Sequence, residues 1–250
     1  MGFLSDWWRS HNRLDVDISE QQWQNAEASL TFLGHLSPEE HRQLRKMARE
    51  FIASKEWDAA AGLVLTPAIQ ISIALQACLP VLHLGLERYA GWVGIVVYPG
   101  DFVIPRSVMD EDGVVHEFDD PVLGEAWEGG PVLLSWFDDR NEADGVNVVI
   151  HEFAHKLDMG SGGVDGMPHL PPEMSRQEWV AAFEPAFIDF QRRVDGGEDT
   201  ALDPYGAESP AEFFAVMSEA FFETPDLLEE EYPAVAEQLR RYYRQNPARR

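Results

Sequence analysis

Two histidines and a glutamate stand inside an apolar run, "VVIHEFAHKLD", from Val148 to Asp158. Ionisable side chains are costly to bury unless something binds them. His151 and His155 are four residues apart. On a helix such a pair shares one face, with Cβ atoms about 5–6 Å apart. Both imidazoles then reach a single tetrahedral zinc ion at about 2.0–2.1 Å. Glu152 projects differently and need not touch the metal. In an H-E-x-x-H arrangement it is the general base that takes a proton from the water the metal activates. The spacing reads as a hydrolytic zinc centre carried on a helix. The bland alternative is a helix whose histidines are merely packed.

A zinc peptidase needs a third protein ligand and an open fourth position. The continuation H-x-x-G-x-x-H is absent, because Lys156, Leu157 and Asp158 follow His155. The third ligand must lie farther on, and "YGAESPAEFFAVMSEAFF" offers Glu212 and Glu219 within a strongly apolar helix. They are seven apart and lie on nearly the same face, so spacing does not rank them. Ser209 with Glu212 also reads as a capping box, an ordinary structural use for that glutamate. His11, His35, His41, His83 and His169 have no partner at ligand spacing.

The elements that must position these residues are legible in outline. Ser37 and Glu40 form an S-x-x-E capping box with Pro38 at the first helical position, and apolar residues at helical spacing run on to about Lys55. Thr66-Pro67 opens a second apolar helix, which Pro80 should bend or end. From Gly91, "GWVGIVVYP", "DFVIP", "GVVHEF" and "GPVLLSW" are short β-rich runs that suggest one small twisted sheet of three or four strands. The last of them, "GPVLLSW", could offer an edge for an extended peptide. Helices are then expected over the H-E-x-x-H run, over "RQEWVAAFEPAFIDFQRRV", over "PAEFFAVMSEAFFE", and from about Leu227 to Gln245, with "MGSGGVDGMPHLPPEM" as a loop. The fold class is α+β: a mostly helical chain with a small twisted mixed sheet. A helical segment over 1–60 is expected to pack on a catalytic domain over 61–250.

Composition bounds the function. The chain has 250 residues, 45% hydrophobic and 25% charged, with 19 basic against 44 acidic side chains and a net charge of −25. Nucleic acid and anionic membranes are poor partners for such a surface. No apolar run is long enough to span a bilayer, and no secretory signal is evident. The single cysteine, Cys78, permits no internal disulfide and reads as a small core residue in a reducing cytoplasm.

"HEFAHKLD", "DGMP" and "YGAESPAEFFAVMSEAFF", with "CLPVLHLGLERYAGWVGIVVYPGDFV" and "GPVLLSW", together resemble the Mlc titration factor A family of bacterial zinc peptidases. The likeness runs from about Leu63 to the end. It implies a zincin-like core of gluzincin type, similar to that of anthrax lethal factor, in the cytoplasm. It implies Glu212, at the family's P-A-E position, as third zinc ligand beside His151 and His155, with Glu219 as acceptor for a ligand imidazole. Tyr205, seven residues before Glu212, corresponds to a tyrosine that faces the scissile carbonyl. "DGVVHEF" matches the segment that carries an additional metal-binding histidine, here His116. The implied activity is a zinc-dependent peptidase, with an aminopeptidase among the options, acting on a peptide or protein substrate. The implied partner is a transcriptional repressor of the Mlc type. The alternative is a non-catalytic protein that titrates such a regulator, with a structural or vestigial zinc site.

Overall fold

The computed structural model describes residues 18–109, 115–137 and 146–248; for 104–109 and 115–122 it describes the backbone alone. His11 lies outside the described residues.

Helix α1 (Glu20–Ser29) and helix α2 (Pro38–Ser54) both start in complete capping boxes, Ser19 with Gln22 and Ser37 with Glu40. Strand β1 (Glu56–Ala59) follows, then α3 (Pro67–Cys78). Thr66 caps α3, Pro67 opens it, and the helix ends before Pro80. Helix α3 is apolar almost all round and buried from Ile69 to Cys78, including Cys78. That is how a helix surrounded by neighbours reads in sequence.

Strands β2 (Gly94–Pro99), β5 (Gly124–Ala126) and β6 (Val132–Trp136) join β1 in a four-stranded mixed sheet of order β1-β2-β6-β5. The first three in that order are parallel, and β5 runs antiparallel to β6. Strands β3 (Phe102–Met109) and β4 (Val115–Val122) form a separate antiparallel pair. The expectation of one sheet from four β-rich runs is thus corrected. "DFVIP" and "GVVHEF" pair with each other, while the polar "EWDA" of β1 and the three residues of β5 complete the main sheet. The expected peptide edge is corrected too. Strand β6 lies between β2 and β5, so both its sides are taken, and among the described residues β1 and β5 are the outer strands.

Helix α4 (Val148–Met159) carries the H-E-x-x-H run. Helices α5 (Arg176–Asp195), α6 (Pro210–Glu223), α7 (Pro225–Glu231) and α8 (Pro233–Tyr243) follow. The single C-terminal helix expected from Leu227 is two, because Pro233 has no N–H to continue α7 and instead opens α8. The class is α+β, as expected. Among the described residues one continuous core contains side chains from each of α1 to α8 and from the main sheet. Helix α4 sits in its middle, packed on α3, α6, β5 and β6. Its rear face is anchored by Phe153, whose ring lies 5.1 Å from Tyr89, 5.5 Å from Phe51 and 5.8 Å from Trp92. Among the described residues no helix is long and apolar enough to cross a membrane.

Candidate metal centre

The first turn of α4 is fixed from three directions. Asn147 caps it, accepting from Ile150 N–H at 3.0 Å. The Asn147 amide donates to Gln76 of α3 at 2.8 Å and to Glu223 of α6 at 2.7 Å. The backbone N–H of Asn147 donates to Glu219 Oε2. One buried asparagine therefore ties α3, α4 and α6 together, and its cost of burial is met by this full set of partners.

On the face this leaves open, His151 and His155 point at Glu212. His151 Nε2 is 2.9 Å from Glu212 Oε2, His155 Nε2 is 3.1 Å from the same oxygen, and the two Nε2 atoms are 3.1 Å apart. A tetrahedral ion bound at about 2.0–2.1 Å holds its ligands about 3.3 Å apart. The three atoms therefore need to spread by only a few tenths of an ångström to take one. Among the described residues this is the one group of three such side chains whose ligand atoms converge. The donor set, two imidazoles and a carboxylate, suits a borderline cation.

The capping reading of Glu212 is half right. Ser209 Oγ accepts from Glu212 N–H at 3.2 Å, so the helix start is capped. The Glu212 carboxylate, however, turns toward the histidines instead of back to Ser209. Glu219, one face-turn later, is 2% exposed and accepts from His151 Nδ1 at 2.7 Å. That contact is made through the Nδ1 proton, so Nε2 is the atom a metal would take in place of its proton, the usual arrangement around a metal-binding imidazole. His155 has no such aid: its Nδ1 is buried without a partner among the described residues.

Electrostatics point the same way. Burial raises Glu212, but hydrogen bonds from His151 and His155 outweigh it and hold the carboxyl at about 2. His151 is penalised by burial, yet the pull of Glu219 and its bonds to Glu212 and Glu219 raise it well above the ordinary imidazole range. Burial raises Glu219. A cluster of this kind favours positive charge at its centre.

Glu152 takes no part in the convergence. It is 4% exposed, and burial, reinforced by the charges of Glu212, Glu219 and Glu125 and opposed by His151, lifts it to about 8. Its carboxylate packs on Gly124 of β5, where a β-carbon would come within 2.5 Å of Glu152 Oε1. Tyr205 lies in a short 3-10 turn, Pro204–Ala207, whose entry is closed by Asp203 accepting from Tyr205 N–H at 2.9 Å. Its ring is half exposed and centred 6.0 Å from the His151 ring. His116 pairs in register with Val108 on the β3–β4 ribbon; its side chain lies outside what is described.

Sequence reasoning passed over three neighbours of the site. Lys156 and Gly166 stand in "HEFAHKLD" and "DGMP" and Gly124 in no motif, but none was given a role, because their roles come from what lies against them. Gly166, in the "DGMP" loop, has φ +77°, donates to buried Asp158 at 2.9 Å, and leaves no room for a β-carbon beside the Pro210 carbonyl. The loop is thereby strapped to the start of α6, two residues from Glu212.

The chain matches the family described as glucose-regulated metallo-peptidase M90 over residues 4–244. It is similar to a protein of Klebsiella pneumoniae strain 342 named Mlc titration factor A, at 39% identity over 237 residues, covering 93% of this chain and 89% of that one. A protein of the same name from Yersinia pestis strain Pestoides F is 37% identical over 235 residues, 92% of this chain and 86% of that one. A match of this extent, over the helices that bring His151, His155 and Glu212 together, means that the chain belongs to the glucose-regulated metallo-peptidase M90 family.

Proposed function

We propose that the protein is a cytoplasmic zinc-dependent peptidase in which His151, His155 and Glu212 hold the ion and Glu152 is the general base. The observation that carries this reading is the position of Glu152. It is buried beside the converging ligands, contributes nothing to them, and faces an outer strand. A purely structural ion has no use for such a group. When bound, zinc polarises the scissile carbonyl and makes water acidic enough to attack at neutral pH.

Glu152 takes the proton as the water oxygen bonds to the carbonyl carbon. It returns a proton to the nitrogen as the C–N bond breaks, and the second water proton follows, leaving a carboxylate and an ammonium group. Tyr205, half exposed beside His151, is the donor to the developing oxyanion. The substrate chain lies along the outer side of β5, directly over Glu152, where a strand pairs with an extended peptide through backbone hydrogen bonds. His116 is a further ligand that competes for the open position, so the wild type turns over slowly. His116→Ala should then keep zinc and raise turnover, and loss of zinc in that variant would refute the role.

The deciding experiment is Glu152→Gln, which keeps shape and removes the base. Zinc content and fold should be retained, with hydrolysis down by about 10²–10⁴. Wild-type protein that carries zinc but cleaves nothing in a broad peptide library would refute the peptidase reading.

A second reading rests on the printed name of the relatives, Mlc titration factor A. It is that the chain binds a repressor of the Mlc type. Such binding should survive Glu152→Gln, and calorimetry with the purified repressor reads it directly.

A further inference from the structure

Beyond the ligand cluster, one feature of the site's rim is built with unusual care. Lys156 follows His155 and is 4% exposed. Its ammonium stands 4.7 Å from the centre of the Trp92 ring and donates to two backbone carbonyls, Trp127 at 2.5 Å and Gly130 at 2.8 Å. Both belong to the turn that joins β5 to β6. The Trp127 carbonyl also accepts from Gly130 N–H at 3.0 Å, and Trp127 N–H donates to Pro131 at 3.1 Å. Gly130 lets Trp127 sit there, since a β-carbon at 130 would lie 2.9 Å from Trp127 Cβ. The backbone of Trp127 is thus held at both its N–H and its carbonyl, yet its indole is 47% exposed. Among the described residues the exposed large apolar side chains include two aromatics, Trp127 and Tyr205.

Val148, Glu152 and Lys156 recur every four residues along one side of α4. Strand β5 is laid along that side, with Gly124 against Val148 and Glu152 and the Trp127 carbonyl on Lys156. At about 3.3 Å per residue, Trp127 stands roughly 10 Å along the strand from Gly124.

We infer that Trp127 is a substrate-binding residue that contacts the peptide about three residues from the scissile bond, and that Lys156 is the positioning residue that holds it there. The inference rests on the peptidase reading with the substrate along β5. It assigns the substrate class as an extended peptide reaching at least three residues to one side of the cleaved bond. An exposed indole held on a rigid turn offers a large apolar contact at little cost in order.

The test is a series of peptides lengthened one residue at a time on either side of one cleavage site, assayed on the zinc-loaded full chain. In the wild type, kcat/KM should step up about fivefold, mainly through KM, when one side reaches about three residues. That is the order of one aromatic cross-strand contact. Trp127→Ala should flatten the step, Trp127→Phe should keep most of it, and Lys156→Met should flatten it while zinc content stays at the wild-type level. A step of the same size in Trp127→Ala overturns the inference, as does a Lys156→Met variant that loses zinc. If the wild type cleaves no peptide, the peptidase reading fails, and fluorescence anisotropy with the same peptides judges Trp127 alone. Tighter binding with length that disappears in Trp127→Ala supports it, and equal binding by both proteins refutes it.

Discussion

Gly124 and Glu152 occupy each other's space: a β-carbon on Gly124 would fall 2.5 Å from Glu152 Oε1 and 2.7 Å from its Cγ. The outer strand and the carboxylate are therefore set by one contact. We predict that Gly124→Ala keeps the metal, since the nearest neighbours of the added β-carbon are Glu152 and Val148 and not the proposed ligands, and lowers hydrolysis by about 10–10², the order expected when a reacting group is displaced by about 1 Å. Metal content and turnover on one preparation check this. Unchanged turnover would show that Glu152 need not sit where it does.

Glu219 fixes the tautomer of His151 and also receives the backbone N–H of Asn147. Its amide isostere presents an N–H to one of those two donors. Glu219→Gln should weaken metal affinity by about 10–100-fold, the usual effect of losing the partner of a ligand imidazole. Competition with a chromogenic chelator measures it, and an unaltered affinity would remove Glu219 from the site.

At Gly166 the backbone is left-handed, at φ +77°, and the Pro210 carbonyl fills the place of a side chain. Gly166→Ala meets both obstacles. We expect a loss of about 2–4 kcal/mol in denaturant unfolding of the metal-free chain, combining left-handed strain with displaced backbone. Weaker metal binding should accompany it, because Pro210 begins the helix that carries Glu212. A fully stable variant with wild-type affinity would mean that the strap does not position α6.

Asp158 is fully buried, and burial, with the charge of Asp165, raises its carboxyl to about 6 despite the hydrogen bond from Gly166. The native state thus keeps this proton at pH values where the unfolded chain, at about 3.9, has lost it. The unfolded state binds fewer protons in that window, so this group's contribution to stability falls as pH rises from about 4 to 6 and is level above. Relative to Asp158→Asn, which has no such proton, metal-free wild type should lose about 2–3 kcal/mol across the window. Urea titrations of both proteins at several pH values test this; parallel curves would contradict it.

How much of this was legible in the chain differs from residue to residue. His151, Glu152 and His155 announce themselves, because a four-residue spacing on an apolar helix is a local property. Glu212 and Glu219 could not be ranked by spacing, since residues seven apart share a face. Their division of labour depends on which carboxylate meets Nε2 and which meets Nδ1, and that is tertiary geometry. Strands β1 and β5 left no mark. "EWDA" has no apolar alternation and "GEA" is too short for a pattern, so both owe their conformation to β2 and β6. Pro233 was plain in the sequence, and the break it makes between α7 and α8 follows from its missing N–H.

His155 and Glu212 are 57 residues apart in the chain and 3.1 Å apart in space. A cation gripped by both is a removable cross-link closing the loop that holds the "DGMP" segment and the whole of α5. Ordering a loop of that size carries an entropic cost that such a clip meets in the native state alone. By mass action, free metal at about a hundred times its dissociation constant adds roughly 2.7 kcal/mol to the folded state. The metal-bound chain should therefore resist a protease between residues 160 and 210 better than the metal-free chain, quite apart from whether it turns over a substrate.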